Sequence, residues 1–317
     1  MRRLTLILAL FAFLLFTLQP HTQATAPDLP NLCGSVPCIQ VGTFNIEWFG
    51  TTDLSKHAHR SQLAVTQIAD LIATTLDLEV LVLEEINSQS QEYEQLKTAL
   101  AAHGYKLSSG TSGGEQRVVI AYDDDEVDLI DDVTELNVRS DFVLSATCKS
   151  FGLRRPLMAK FRAGQFDFVF IGVHLKSQLG GPCADQVRKE QARDLIAKVN
   201  EIVNSSSEKD MIIAGDFNAT SEDNSLAPLL VNTGFRDLMK PSRRANGSNS
   251  ISYLKAPFQE IIDHVLIRLD PTTEWLNKST FIFNPPTNQT QLNKYLKHFS
   301  DHAPAWSSFK TNVGDDD

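Results

Sequence analysis

Apolar residues along the chain follow two periods. Eight segments rich in β-branched and aromatic residues predict strands: Ile39–Trp48, Val80–Glu84, Arg117–Tyr122, Leu157–Phe161, Phe166–His174, Met211–Ala214, Ile261–Ile267 and Ala305–Phe309. Several of them are apolar on both faces, as strands covered from two sides are. Between them, three stripes repeat at helical spacing. The first is Leu63, Ile68, Leu71, Ile72 and Leu76; the second is Tyr93, Leu96 and Leu100, ended by Gly104; the third is Val187, Leu195, Ile196, Val199 and Ile202. Many strands with few helices predict two packed sheets flanked by helices. The polar, turn-rich stretch Lys240–Ser252 predicts a surface loop.

The N-terminus stands apart from this pattern. Met1-Arg2-Arg3, an apolar run Leu4–Leu18 and then Thr22-Gln23-Ala24 predict a secretory signal peptide over residues 1–24. A signal anchor is the alternative, but the run is short of the roughly 20 residues of a spanning helix. No later stretch is apolar enough to cross a membrane, so no stable membrane insertion is expected. An N-terminal extension is expected over 25–38, one domain over 39–311 and an acidic tail over 312–317. The four cysteines would meet an oxidising compartment, which implies two disulfides. Of three connectivities, Cys33–Cys38 with Cys148–Cys183 is favoured, because the first pair is close in sequence near a terminus. Zinc is the weaker reading, since Cys33 and Cys38 have no second ligand pair.

Charge narrows the function classes. The 317 residues carry 29 Lys+Arg against 39 Asp+Glu, a net charge of -10, which argues against a protein that coats nucleic acid by neutralising phosphates. It leaves room for an enzyme that touches nucleic acid locally. The acidic run Asp123-Asp124-Asp125-Glu126 predicts a solvated turn, with a structural Ca²⁺ site as the alternative.

The candidate chemistry sits at strand ends, where such folds place their sites. Thr43-Phe44-Asn45-Ile46-Glu47-Trp48, Leu83-Glu84-Glu85-Ile86-Asn87, Gly172-Val173-His174-Leu175-Lys176 and Gly215-Asp216-Phe217-Asn218 each close an apolar run, and Ser300-Asp301-His302-Ala303-Pro304 precedes the last one. With Ile262-Asp263-His264 between the last two, these motifs resemble the endonuclease/exonuclease/phosphatase family in order, from about Thr43 to Phe309. The resemblance implies an α+β fold, a four-layer α/β sandwich of two mainly antiparallel sheets.

A phosphodiester is an anion, so its hydrolysis needs a cation, an aligned water and a donor for the developing charge. By resemblance Glu85 is the principal metal ligand, with Asn45 beside it and Asp301 adding a carboxylate; Mg²⁺ or Mn²⁺ is the expected ion, hard oxygen donors suiting Mg²⁺. Resemblance makes Asp216 the group that orients or deprotonates the water and Asn218 the one that holds it or the phosphate. His302 would bind the phosphate or act as general acid, with Asp263 fixing its ring. His174 would meet the phosphate from the other side, and Arg155 and Lys176 are the basic residues expected at the substrate. Arg154, Arg188, Arg243 and Arg244 read equally well as surface residues. A glycan on Asn218 would block this site, so the sequons at Asn204, Asn218, Asn246, Asn277 and Asn288 read as chance.

The expected function is a secreted or periplasmic, metal-dependent nuclease acting on DNA, and on RNA as a second substrate, with no obligatory protein partner. An inositol phosphatase is disfavoured because Ala219-Thr220 follows Asn218. A phospholipid phosphodiesterase of the sphingomyelinase kind is the alternative, and would need an exposed apolar hairpin. An inactive binding module on the same fold is disfavoured because Glu85, Asp216, Asn218 and His302 are all present.

Overall fold

The computed structural model describes residues 33, 35–239, 251–284, 286 and 288–313. The expected signal peptide, residues 240–250 of the expected surface loop and residues 314–317 of the tail lie outside them.

Strand β1 (Cys38–Phe49) is followed by α1 (Val65–Asp70), which runs on as a wider π-helical turn over Leu71–Leu76. Next come β2 (Val80–Ile86), α2 (Gln91–Ala101), β3 (Tyr105–Ser109), β4 (Arg117–Asp123) and β5 (Asp128–Glu135). A two-stranded ribbon, β6 (Phe142–Val143) and β7 (Lys149–Ser150), precedes β8 (Leu157–Ala163), β9 (Phe166–His174) and α3 (Pro182–Ser205). After β10 (Met211–Asp216) follow α4 (Ala227–Leu230), β11 (Phe235–Asp237), β12 (Asp263–Arg268), β13 (Phe281–Ile282), α5 (Gln289–His298) and β14 (Ala305–Lys310).

The strands form two six-stranded sheets, ordered β13-β14-β1-β2-β4-β3 and β11-β12-β10-β9-β8-β5. Each is antiparallel except for one central pair, β1 with β2 and β9 with β10. A parallel pair needs a long crossover; α1 supplies one and α3 the other. Helix α3 buries Ala192, Leu195, Val199 and Val203 against Ile171, Val173, Met211 and Ile213 of the second sheet. Helices α1 and α2 pack together, with α2 on β3 of the first sheet.

Aromatic rings join the sheets. Tyr122 of the first lies 5.2 Å from Phe161 of the second, and Phe309 of the first stacks on Phe166 at 5.7 Å. At Gly172 of β9 the layers come so close that a Cβ would meet Val82 Cγ2 at 2.7 Å.

The disulfides are Cys33–Cys38 and Cys148–Cys183, the expected pairing and one consistent with an extracellular protein. The second ties the β6–β7 ribbon to the start of α3 across 35 residues. Replacing Cys148 and Cys183 by serine is expected to cost about 3 kcal/mol, because the open loop gains unfolded-chain entropy; a shift in urea midpoint measures it.

The acidic run forms the exposed β4–β5 turn, where Lys106 pairs with Asp124. Ser252, expected in a surface loop, is instead fully buried, its hydroxyl accepting from the Ile262 and Asp263 amides at 3.0 Å each. No helix among the described residues is long and apolar enough to cross a membrane.

Candidate active site

Topology brings the motif residues to one rim. The parallel strands β1, β2, β9 and β10 all end there, delivering Asn45, Glu85, His174 and Asp216. Strands β12 and β14 run the opposite way and start there, delivering Asp263 and, just ahead of β14, Asp301 and His302. Register then aligns side chains: Asp216 pairs with His174 on one side and Asp263 on the other, so all three share a face. Glu85 is turned towards the same point by a break in the β2 register and a left-handed backbone at φ 62°.

The two sheets meet at this rim through hydrogen bonds. Asn45 of the first donates its amide to Asp216 Oδ2 at 3.0 Å and to Glu85 Oε1 at 3.3 Å. The Trp48 amide donates to Glu85 Oε2 at 3.0 Å, and the Glu47 amide to Asn45 Oδ1 at 2.9 Å. Asp216 also accepts from the Asn218 backbone at 2.7 Å and its side chain at 3.1 Å. On the other flank Asp263 Oδ2 lies 2.9 Å from His302 Nδ1, leaving Nε2 towards Asp216 Oδ2, 3.9 Å away.

Burial and charge set the protonation states. Desolvation lifts the Asp216 carboxyl to about 7, with Asp263 and Glu85 pushing the same way against His302 and the Asn218 amide. Burial disfavours a charged His302, but Asp263 at hydrogen-bond distance, with Asp216 and Asp301, outweighs it and raises the imidazole well above its usual value. His174 goes the other way, held neutral by burial and by the Arg154 guanidinium.

Arg154, not Arg155, is the arginine at the site. Its Nε is 3.1 Å from His174 Nδ1 and an outer nitrogen 2.7 Å from Nε2; arginine only donates, so a neutral ring can accept one of the two. Arg155 turns its guanidinium to the Val138 carbonyl at 3.1 Å. The Lys176 ammonium is occupied by its own loop, donating to Ser177 Oγ at 2.9 Å and the Leu179 carbonyl at 2.8 Å. Arg188 is buried rather than on the surface, donating to the Lys176 carbonyl at 3.0 Å.

Sequence reasoning also passed over Glu84. It is in register with Asn45, fully buried, and bonded by the Thr43 hydroxyl at 2.5 Å. Burial, with Asp263 and Asp216 nearby, raises its carboxyl well above the usual range despite that bond. His264, next to Asp263 in its motif, is structural, spanning Asp237 and the Ala219 carbonyl at 2.9 Å each. Glu85, Asp216, Asn218, Asp301 and His302 line a cavity of about 410 Å³, with Ser177, Leu179, Tyr253 and Phe258 around them. A larger hollow of about 520 Å³ beside Arg139 and Asp194 holds surface ion pairs and none of these residues.

The Endonuclease/Exonuclease/phosphatase family profile matches residues 42–302, which contain every one of these side chains. The chain belongs to the endonuclease/exonuclease/phosphatase family. Members are hydrolytic phosphoesterases that typically use divalent metals. Zebrafish (D. rerio) TDP2 complexed with single-strand DNA product superposes with a TM-score of 0.61 at 15% identity, over 86% of this chain and 99% of that one. An endonuclease/exonuclease/phosphatase family protein from Bacteroides thetaiotaomicron gives 0.62 at 17% identity, over 87% and 96%. A mannosyl-6-phosphatase from the same bacterium gives 0.56 at 16%, over 85% and 98%. At such identities the likeness is one of fold. No curated protein matches by sequence.

The donor set fits the family's metal. Glu85 spends one oxygen on the Trp48 amide and the other on a long contact from Asn45, so lone pairs remain facing the cavity, whereas Asn45 turns its amide nitrogen to Glu85 and Asp216 and its oxygen accepts from the Glu47 amide, which makes it a positioning group for Glu85. Among the described residues, three ligating groups converge within 4.8 Å only at Asp216, Asp263 and His302, where the Asp263–His302 bond already occupies the ring's Nδ1.

Proposed function

We propose that the protein is a secreted, divalent-metal-dependent nuclease that hydrolyses phosphodiester bonds in DNA. The observation that carries this is the His302–Asp263 pair set across one cavity from Glu85 and Asn45, with Asp216 and Asn218 between them. A divalent ion held by Glu85, with Asn45 orienting that carboxylate, would supply positive charge at a phosphate oxygen. Asp216, poised near neutrality and steadied by two Asn218 contacts, orients and deprotonates the attacking water. His302, kept protonated by Asp263, donates from Nε2 to the phosphate or the leaving oxygen. Neutral His174, backed by Arg154, donates to another phosphate oxygen.

The test is supercoiled plasmid with the mature, oxidised chain and Mg²⁺, beside chelator and Asp216→Ala. Metal-dependent nicking that the variant loses supports the reading, and intact plasmid with folded, metal-replete protein refutes it. A pH series adds a sign. Asp216 works only as carboxylate, so kcat/KM should climb about tenfold per pH unit on the acid side and level off near its value of about 7; a profile flat down to pH 5 would remove Asp216 from the base role.

One observation favours the lipid alternative. Leu179 and Phe258, 82% and 63% exposed, stand at the lip of the cavity. They are two single side chains rather than an apolar hairpin, and release of headgroups from sphingomyelin vesicles without plasmid nicking would decide for that reading.

A further inference from the structure

The segment leading into β12 carries a lysine into the site. Lys255 Nζ lies 2.6 Å from Glu47 Oε1 and 2.8 Å from Asp301 Oδ2. Both acids belong to the first sheet, at the end of β1 and just ahead of β14, whereas Lys255 arrives from the segment that feeds the second. Both are buried, Glu47 at 5% exposure and Asp301 at 7%. The Leu254 amide donates to the Asp301 carbonyl at 2.8 Å, so the backbone beside Lys255 is anchored to its partner.

Two buried carboxylates that face one point need a cation there, since unpaired charge is strongly disfavoured in a low-dielectric site. Other side chains reach Glu47 less well: His59 Nε2 is 3.1 Å from Oε1, and the Arg60 guanidinium stays 3.7 Å from Oε2, which has no hydrogen bond. The point adjoins the Glu85 position, because Glu47 and Trp48 give the backbone amides that hold Asn45 and Glu85. Two carboxylate oxygens around one small cation are also what a hard divalent ion accepts.

We infer that Lys255 is a built-in cation standing where a second metal ion would otherwise bind. It closes Glu47 and Asp301 into a pair, and the site takes a single divalent ion at Glu85. Asp301 is then a partner of Lys255 rather than the metal ligand that the sequence resemblance implies. The inference rests on the proposed function only for the ion at Glu85.

Mn²⁺ titration of the full mature chain by calorimetry tests this without any cleavage assay. The native protein should bind one ion, Lys255→Met should bind two, and Lys255→Arg, which keeps the charge, should bind one. Because Lys255→Met leaves two acids unpaired and could unfold, Asp301→Asn supplies a second arm: Mn²⁺ affinity should stay within about threefold of native, while Glu85→Gln should lose it. Two ions on the native chain, one on a folded Lys255→Met, or a tenfold loss in Asp301→Asn overturns the inference and leaves the nuclease reading standing. A native chain that binds no Mn²⁺ overturns both.

Discussion

Replacing His302 by alanine should slow plasmid cleavage by about 10³-fold at pH 7, within the range of a lost acid–base or charge-stabilising group. The ring is almost completely buried, fixed through Nδ1 by Asp263, and kept protonated against the desolvation that would neutralise it. That arrangement presents one proton at Nε2, and alanine removes both the proton and the positive charge. Asp263→Asn should be milder and should depend on pH. His302 would then lose its proton at a lower pH, so the deficit widens as pH rises from 6 to 8. Single-turnover rates at saturating DNA separate this from weakened binding; a loss of less than tenfold for His302→Ala would falsify the role.

The largest effect on stability is expected from Gly215→Ala. Gly215 lies between Val173 of β9 and His264 of β12, with φ at 152°. An added Cβ would sit 1.9 Å from the Val173 carbonyl oxygen, which is ladder backbone and has no flexible end to swing aside. The parallel pair would have to part, and with it the Asp216–His174 register. The cost should exceed about 4 kcal/mol, the range reserved for severe steric and backbone conflicts, read as a lower urea midpoint or as failure to yield folded protein. A change under about 1 kcal/mol would mean that the β9–β10 pairing is not the one described.

Much of the fold was legible because buried strands announce themselves by composition. All eight predicted strands are present, Phe166–His174 to the residue, and the three helical stripes became α1 with its π-helical extension, α2 and α3. What escaped were elements whose surroundings, not their residues, make them regular. Strand β5, Asp-Leu-Ile-Asp-Asp-Val-Thr-Glu, is a largely exposed edge with four acids, and α5 buries only Tyr295. In the site, motif positions showed which residues to gather but not register or direction. Arg154 and Arg155 are neighbours, and only the chain's path decides that the first meets His174 while the second turns away. Lys255 carried no motif; its place was set by contacts 208 residues distant in sequence.

The rim is assembled from both sheets, and neither half holds a working set: Asn45, Glu85 and His302 stand on one layer, Asp216, Asn218 and Asp263 on the other. Assembly of the sandwich and assembly of the chemistry are therefore one event. If the chain is the nuclease proposed above, a newly made copy would be unable to cut until its two layers close.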